Sequence, residues 1–136
     1  MSDCIFCKIA NGEIPSATLY EDDNFRVILD MGPSRRGHSL ILPKNHYENL
    51  FELPDDLKGE ALKVASKVGT AMMKALPCEG VQIMQNNGLA AGQTVFHFHM
   101  HLIPGYESEG PGATWVPGTL ADDDKVSIPE AIKAAL

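Results

Sequence analysis

Apolar and polar side chains alternate along residues 93–103. Successive side chains of an extended strand point to opposite faces of a sheet, so this alternation predicts a β-strand with one buried face. Three of the five histidines fall on one of these faces, where neighbouring imidazoles would lie roughly 6.6 Å apart, two strand rises. The predicted faces are Val95, His97, His99 and His101 on one side and Phe96, Phe98, Met100 and Leu102 on the other.

Four shorter apolar segments predict the other strands of the same sheet. The first two flank the turn formed by Asp22-Asp23-Asn24 and would form a hairpin. Pro104-Gly105 is predicted to end the histidine-bearing strand. The four shorter strands are predicted at 17–20, 25–30, 38–43 and 81–85.

Helical spacing of apolar residues follows Pro54 and continues to Pro77. Proline suits a first helical turn, and Asp55 and Asp56 complement the positive end of the helix dipole. Short helices are predicted at 3–10 and at 128–136, the latter with Pro129 at its start. The order β-β-β-α-β-β predicts an α+β fold, with an antiparallel sheet that carries the long helix on one face. The predicted buried face of that helix is Leu57, Ala61, Val64, Ala65, Val68, Met72 and Ala75.

Composition narrows the class of protein. A chain of 136 residues with 44% hydrophobic residues fits one globular domain with its own core. The net charge of −7 argues against a basic surface for nucleic acid. No apolar run approaches the roughly 20 residues that span a membrane, and the N-terminus lacks the features of a signal peptide. We therefore expect a cytoplasmic protein with neither nucleic-acid nor membrane partners.

Three imidazoles on one strand face have no structural rationale, because each would need its own polar partner if buried. Two chemical interpretations remain open from the pattern alone. The imidazoles could ligate a metal. Alternatively, one could attack a phosphate while its neighbours orient or donate to the substrate.

Cys4-x-x-Cys7 has the spacing of half a tetrahedral zinc site. Three cysteines in the whole chain do not make a disulfide framework, and a redox pair is less well supported outside a βαβ unit. Two further ligands would be needed for zinc. The spacing does not choose among the candidates His38, His46, His97, His99 and His101.

A glycine-containing loop, Asn86 to Thr94, precedes the histidine strand. Such a loop can present backbone N–H groups to a phosphate, although a plain connecting loop is the simpler interpretation of the string in isolation. Asp30 follows a predicted strand, and its simplest role is to cap a turn. A carboxylate there could also bind two sugar hydroxyls.

These motifs together resemble the histidine triad (HIT) family, and the closest pattern is that of its nucleotide-binding, Hint-like branch. His97-x-His99-x-His101-Leu102-Ile103 resembles the family signature, His-x-His-x-His followed by apolar residues. The resemblance covers about 3–106. Its other blocks are Cys4-Ile5-Phe6-Cys7-Lys8-Ile9, Gly12-Glu13-Ile14-Pro15, Tyr20-Glu21-Asp22-Asp23, the segment from Gly37 to His46, Asn86 and Gly92-Gln93-Thr94-Val95-Phe96.

The resemblance implies a single HIT domain over 1–136, with a C-terminal extension from about 107. It also implies a HIT-like fold with a five-stranded antiparallel sheet, a homodimer, and hydrolysis at the α-phosphate of a purine nucleotide. His99 matches the nucleophile, which would form a nucleotidyl-histidine intermediate. His101 matches the histidine that binds the phosphate and assists the leaving group, and Thr94 stands where many members carry a serine.

The resemblance further implies a nucleotide-binding set and a structural zinc site, with no organic cofactor. It reverses the simpler interpretation of Asp30, which matches the ribose-binding acid. The implied nucleotide contacts are Ile28, Asp30, Asn86, Gly92, Gln93, Thr94, His99 and His101, and the implied zinc ligands are Cys4, Cys7, His46 and His97.

The resemblance leaves the substrate open. A nucleoside phosphoramidase, or an enzyme that acts on an aminoacyl-adenylate, fits the Hint-like pattern best. The rivals are a dinucleoside polyphosphate hydrolase, a nucleotidyl transferase, and a regulatory nucleotide-binding protein with incidental turnover. A three-histidine catalytic metal protein is the weakest rival.

Overall fold

The order of the helices and strands follows the prediction. The computed structural model describes residues 3–111, 113–114 and 116–136, and it confirms the α+β class with a five-stranded antiparallel sheet. The helices are α1 (Ile5–Ala10), α2 (Asp55–Ala75) and α3 (Asp124–Ala135), and the strands are β1 (Thr18–Glu21), β2 (Phe25–Leu29), β3 (Ser39–Pro43), β4 (Gly80–Met84) and β5 (Met100–Gly105).

The sheet has the strand order β1-β2-β3-β5-β4, and every neighbouring pair is antiparallel. β5 therefore lies inside the sheet, between β3 and β4. The edge at β1 is irregular, because its register with β2 shifts between Thr18 and Tyr20. The edge at β4 is a regular strand paired with β5 from Gly80 to Met84.

Alternating side chains of the sheet divide the core between its two faces. On one face, residues of β2, β3 and β5 pack under α2; on the other, a smaller cluster packs against α1. Because Met100 and Leu102 point toward α2, His101 between them points toward α1. The α2 face includes Phe25, Val27, Ile41, Met100 and Leu102, and the α1 face includes Ala10, Ile28, Leu40 and Leu42 with Phe6 and Ile9.

Helix α2 begins and ends close to the predicted positions. Pro54 precedes it, and Asp55 and Asp56 occupy its first turn, where acidic side chains interact favourably with the helix dipole. Its buried residues repeat with helical spacing, so that one face of the helix covers the sheet. They are Leu57, Ala61, Val64, Ala65, Val68, Gly69 and Met72.

The predicted histidine strand is wrong over its first half. β5 begins only at Met100, and the chain bends at 95–97. The Phe98 N–H donates to the Tyr47 carbonyl at 2.6 Å, and His97 and Phe98 are both 0% exposed. The bend and the hydrogen bond to the distant Tyr47 place residues 95–98 outside the strand, so the alternation before Met100 does not come from a strand. β5 ends at Gly105, as predicted, and Pro104 and Gly105 are its last two residues.

Gly37, in the loop between β2 and β3, occupies a crowded position. Its φ of +90° lies in the region that favours glycine, and a Cβ there would lie 2.7 Å from Leu76 Cδ1 and 3.1 Å from Pro104 Cγ. The loop therefore packs closely against the end of α2 and against β5, immediately before His38.

The C-terminal helix is longer than predicted. α3 begins at Asp124, so Pro129 lies inside it rather than at its start. The acidic run at 122–124 leads into the first turn of this helix, where negative charge is favourable. Among the residues that the structure describes, no helix is both long and apolar enough to cross a membrane.

Candidate active site

Four predicted metal ligands meet between α1 and the histidine segment. Their ligand atoms all lie within 4.8 Å of one another. His97 Nδ1 is 3.5 Å from Cys4 Sγ and 3.4 Å from Cys7 Sγ, and His46 Nδ1 is 3.3 Å from Cys7 Sγ. The fold thus brings residues from positions 4–7, 46 and 97 to one place.

The donor set fits a tetrahedral zinc ion. With Zn–S near 2.3 Å and Zn–N near 2.1 Å, sulfur and nitrogen ligands would be roughly 3.6 Å apart, close to the separations in this cluster. The His97 Nε2–H donates to the Pro43 carbonyl at 2.9 Å, so the lone pair of the neutral ring is on Nδ1, facing the sulfurs.

Burial shapes the protonation of this cluster. It lowers the pKa of His97 to about 4, so the ring is neutral, as a metal ligand must be. Burial, together with the neighbouring Cys4, raises the pKa of Cys7 to about 11. A cation at the site would reverse that shift, because it stabilises the thiolate.

His99 faces away from the cysteines. Its Nδ1–H donates to the carbonyl of His97 at 2.8 Å. Because a carbonyl only accepts, the proton of neutral His99 is on Nδ1 and the lone pair is on Nε2. The ring is 9% exposed, and the ring of Phe6 meets it edge-on, with centroids 5.0 Å apart.

A second hydrogen-bonded chain fixes His101. The backbone N–H of Ser34 donates to His38 Nδ1 at 3.0 Å, and His38 Nε2 lies 2.9 Å from His101 Nδ1. Since the Ser34 N–H can only donate, neutral His38 carries its proton on Nε2 and donates it to His101. The proton of His101 is therefore on Nε2, the opposite tautomer to that of His99.

Asp30 joins this chain at the end of β2. Its Oδ2 is 3.5 Å from His38 Nε2, and its Oδ1 accepts the N–H of Gly32 at 2.8 Å. The ligand atoms of Asp30, His38 and His101 also lie within 4.8 Å of one another. Because the two imidazoles hydrogen-bond each other directly, we interpret the group as a positioning chain rather than as a second metal site.

Burial keeps both rings of this chain neutral. It lowers the pKa of His101 to about 4, with further lowering by the nearby His99 and His38. Burial also lowers the pKa of His38, although the carboxylate of Asp30 partly opposes this. At neutral pH His101 therefore keeps its N–H on Nε2, and its ring lies next to that of His99, with ring centroids 5.1 Å apart.

The buried side chain of Gln93 holds the conformation of the loop that precedes the histidines. Its side chain is 1% exposed; it accepts the Gly88 N–H at 2.8 Å and donates to the Glu48 carbonyl at 2.6 Å. Its own N–H donates to the Gly88 carbonyl. A nucleotide contact by Gln93 would compete with these bonds, and it stays a prediction.

The other predicted residues of this loop lie near its surface. Gly88 and Gly92 have φ values of +93° and +94°, which turn the loop back on itself. A Cβ on Gly92 would be 3.4 Å from Asn86 Nδ2, so the half-buried Asn86 amide packs against that turn. Thr94 is exposed, and it stands on the solvent side of the histidine segment.

Sequence reasoning gave no role to two contributors to the site. Phe6 packs edge-on against His97 and His99, and it also packs on the cluster that contains Ile28. His38 was considered only as a metal ligand. Its contact with His101 depends on the pairing of Leu40 with His101 across β3 and β5, and no local pattern reveals that register.

Acid is expected to destabilise the protein through His101. Its pKa is about 4 in the folded protein against an ordinary 6.5, so between these values the unfolded chain binds more protons. The free energy of unfolding should therefore fall as the pH drops from 6.5 to 4, by up to about 3 kcal/mol for this residue. Urea unfolding at pH 7.5 and 5 measures the loss. His101→Gln should reduce that loss, and an unchanged pH dependence would contradict the prediction.

Comparisons with known proteins identify the family. A family model described as the HIT domain matches residues 11–108. "Protein hit" of Bacillus subtilis (strain 168) is 44% identical over 124 residues, which are 90% of this chain and 84% of that protein. An adenosine 5'-monophosphoramidase of Candida albicans (strain SC5314 / ATCC MYA-2876) is 41% identical over 131 residues, 92% of this chain and 85% of that protein.

A similar solved structure contains zinc. A zinc-bound histidine triad family protein from Mycobacterium smegmatis superposes with a TM-score of 0.78 at 30% sequence identity, covering 99% of each chain. Domain match, sequence identity and fold agree with the resemblance read from the motifs. This chain therefore belongs to the HIT family.

Proposed function

We propose that this protein is a nucleotide hydrolase that cleaves the α-phosphate bond of an adenosine phosphoramidate or aminoacyl-adenylate. The observation that carries the proposal is the pair of opposite tautomers. His99 offers a lone pair on Nε2, and the neighbouring His101 offers an N–H on its own Nε2. A nucleophile beside a hydrogen-bond donor is the arrangement that attack on a phosphate requires.

The reaction would proceed in two displacements. His99 Nε2 forms a bond to phosphorus as the bond from phosphorus to the leaving group breaks, giving a nucleotidyl-histidine. His101 Nε2–H donates a hydrogen bond to the phosphate, and the amine leaves with its electron pair and a proton from solvent, on the side of Thr94. Water then attacks phosphorus and loses a proton to solvent, the N–P bond breaks with its electron pair returning to His99 Nε2, and the nucleoside monophosphate departs.

The same geometry supports a position for the nucleotide. Asp30 lies at the end of β2 on the side of His38 and His101, where its carboxylate would accept the ribose hydroxyls. Ile28 and Phe6 pack in one apolar cluster on the α1 side of the sheet, and the partly buried Phe6 would border the purine base. Asn86, Gly92, Gln93 and Thr94 would bound the phosphate side.

We further propose that Cys4, Cys7, His46 and His97 hold a structural zinc ion. The S–N distances and the lone pair on His97 support this, and a relative of known structure is zinc-bound. Zinc would fix α1 to the histidine segment and would take no part in the chemistry. No organic cofactor is needed for the two displacements.

The proposed biological unit is a cytoplasmic homodimer of one HIT domain, with a core at about 3–106 and an extension to 136. A second copy would cover the regular edge at β4 with its exposed Ile83, together with the exposed Leu62 and Met73 of α2. The net charge of −7 favours small-molecule substrates over nucleic acid.

A substrate panel tests the proposed function. Initial rates of AMP release are measured on an adenosine phosphoramidate, an aminoacyl-adenylate analogue and a diadenosine polyphosphate. We expect the two single-nucleotide substrates to be cleaved at least about tenfold faster than the dinucleotide. Faster cleavage of the dinucleotide would favour the polyphosphate hydrolase, and binding of AMP without cleavage of any substrate would favour a regulatory role.

A further inference from the structure

Arg35, in the loop between β2 and β3, is a charged residue that the fold holds almost out of solvent. Its side chain is 10% exposed. The guanidinium donates to the backbone carbonyls of Glu109 at 3.1 Å, Gly110 at 2.6 Å and Pro111 at 2.9 Å. A guanidinium presents its N–H donors in a fixed planar fork, so three carbonyls around it fix both its position and its orientation. Arg35 therefore clamps this loop to the segment 109–111.

The segment that accepts these bonds is itself anchored to the sheet. Tyr106 and Gly110 form an antiparallel bridge across a tight turn, and the Glu107 N–H donates to Glu79 Oε1 at 3.0 Å. Glu79 immediately precedes β4, and the turn follows directly on β5, the strand that carries His101. The clamp therefore ties the β2–β3 loop to the end of the strand that carries this histidine.

The loop has little packing of its own on the side of Ser34. Residues 31–34 are all exposed, and Met31 is 95% exposed. Ser34 nevertheless supplies the N–H that donates to His38 Nδ1 at 3.0 Å, the bond that fixes the tautomer of this ring. Arg35 is the next residue, and its own carbonyl accepts the His38 N–H at 3.0 Å. A side chain anchored at position 35 therefore holds the donor and the ring that accepts from it in one turn.

The direction of the hydrogen bonds from Ser34 to His101 depends on that first donor. In a neutral imidazole, a nitrogen that accepts a hydrogen bond leaves the proton on the other nitrogen. If the Ser34 N–H moves away, His38 can carry its proton on Nδ1 and accept on Nε2. His101 would then carry its proton on Nδ1 as well, and its Nε2 would have a lone pair in place of an N–H. The site would lose the donor that stabilises a phosphate under attack.

We propose that Arg35 is a positioning residue for the hydrolysis: it holds the Ser34 N–H in place and so sets the tautomer of His101. The effect on rate rests on the proposed function, but the tautomer can be observed without any turnover. The acceptors of Arg35 lie 74 to 76 positions further along the chain, so no local sequence pattern indicates this role.

Arg35→Met tests the proposal, because methionine is also long and unbranched but donates no hydrogen bond. The ¹⁵N shifts of the histidine rings, recorded at neutral pH without substrate, distinguish a ring nitrogen that carries a proton from one that has a lone pair. We expect His101 to be protonated on Nε2 in the wild type and in part on Nδ1 in the variant. The kcat for AMP release should fall about tenfold, a scale that a small misplacement near the reacting atoms can reach.

Two variants of the same surface are the controls. Arg36→Met removes the neighbouring arginine, whose backbone carbonyl accepts the Tyr106 hydroxyl at 2.8 Å and is kept in the variant. Glu109→Gln removes the carboxylate that lies 3.5 Å from Arg35 Nε but keeps the three backbone acceptors. Both variants should leave the tautomer of His101 and the rate unchanged.

The two readouts separate the possible failures. An unchanged tautomer of His101 in Arg35→Met would overturn the proposal whatever happens to the rate, and so would an equal change in Arg36→Met. A changed tautomer in a protein whose wild type cleaves no substrate would support the positioning role and count against the proposed function alone. Arg35→Lys keeps the charge but has donors on a single nitrogen, so we expect a smaller change. It takes the place of Arg35→Met if thermal unfolding shows that the methionine variant does not fold.

Discussion

Replacing His99 by alanine is expected to lower the rate of AMP release from an adenosine phosphoramidate by about 10⁴-fold or more, the scale seen when a nucleophile is removed. The variant loses the only Nε2 lone pair that the hydrogen bonds orient beside the N–H of His101. His101 cannot replace it, because its Nδ1 accepts from His38 and its Nε2 carries the proton. Steady-state rates of the two proteins measure the effect.

Trapping the intermediate makes the test specific to a covalent role. Brief reaction with a substrate labelled in the nucleotide, followed by rapid denaturation, should leave label on the wild-type chain and none on His99→Ala. His101→Gln is the matched control: it retains the nucleophile, so it should acquire label more slowly. Label on the His99→Ala chain, or activity within tenfold of wild type, would refute the nucleophile assignment.

Replacing Cys7 by serine is expected to remove the metal and lower the unfolding midpoint by about 10 °C or more. Metal binding adds directly to the free energy of folding when the unfolded chain does not bind the ion. The loss of several kcal/mol that we expect corresponds to such a shift in a domain of this size. The substitution also removes the sulfur that lies 3.4 Å from Nδ1 of the fully buried His97. Metal analysis and calorimetry measure the two effects.

Activity should fall together with the metal. The His97 ring belongs to the Cys–His cluster, while its backbone carbonyl accepts the proton of His99. Loosening the ring should therefore disturb the orientation of the nucleophile, and kcat should drop more than KM rises. Cys78→Ala is the control, because Cys78 is a buried thiol outside the cluster. A metal-free wild type with an unchanged midpoint would rule out the structural role.

The sequence predicted those parts of the fold in which local pattern and tertiary structure agree. α2 combines a proline start, acidic first turn and apolar stripe, and all of these point to one helix. The histidine segment shows the limit of this reasoning. From Met100 on the alternation comes from β5, but before it the ring of His97 is held by Cys7 and Pro43, which lie far away in the chain. A periodicity imposed by ligand and hydrogen-bond geometry looks the same as one imposed by a sheet.

In the candidate site, too, local sequence pattern indicated some of the residues and missed others. Cys4-x-x-Cys7 indicated a metal, but spacing did not select His46 and His97 from five histidines; the family resemblance did. The sequence did not indicate that His38 positions His101, because their contact depends on the register between β3 and β5. The start of α3 was predicted too late, because Pro129 was placed at the beginning of the helix. The helix begins at Asp124, so Pro129 lies more than one turn inside it.

Gly37 carries no functional group, yet its close contacts should make it one of the positions that tolerate substitution least. Even a methyl group there would have to displace the Leu76 and Pro104 side chains. The backbone of an alanine would also be strained at a φ of +90°. The displaced loop contains both Ser34 and His38, on which the tautomer of His101 depends. A substitution at this glycine would thus lower the catalytic rate although every residue of the candidate active site is still present.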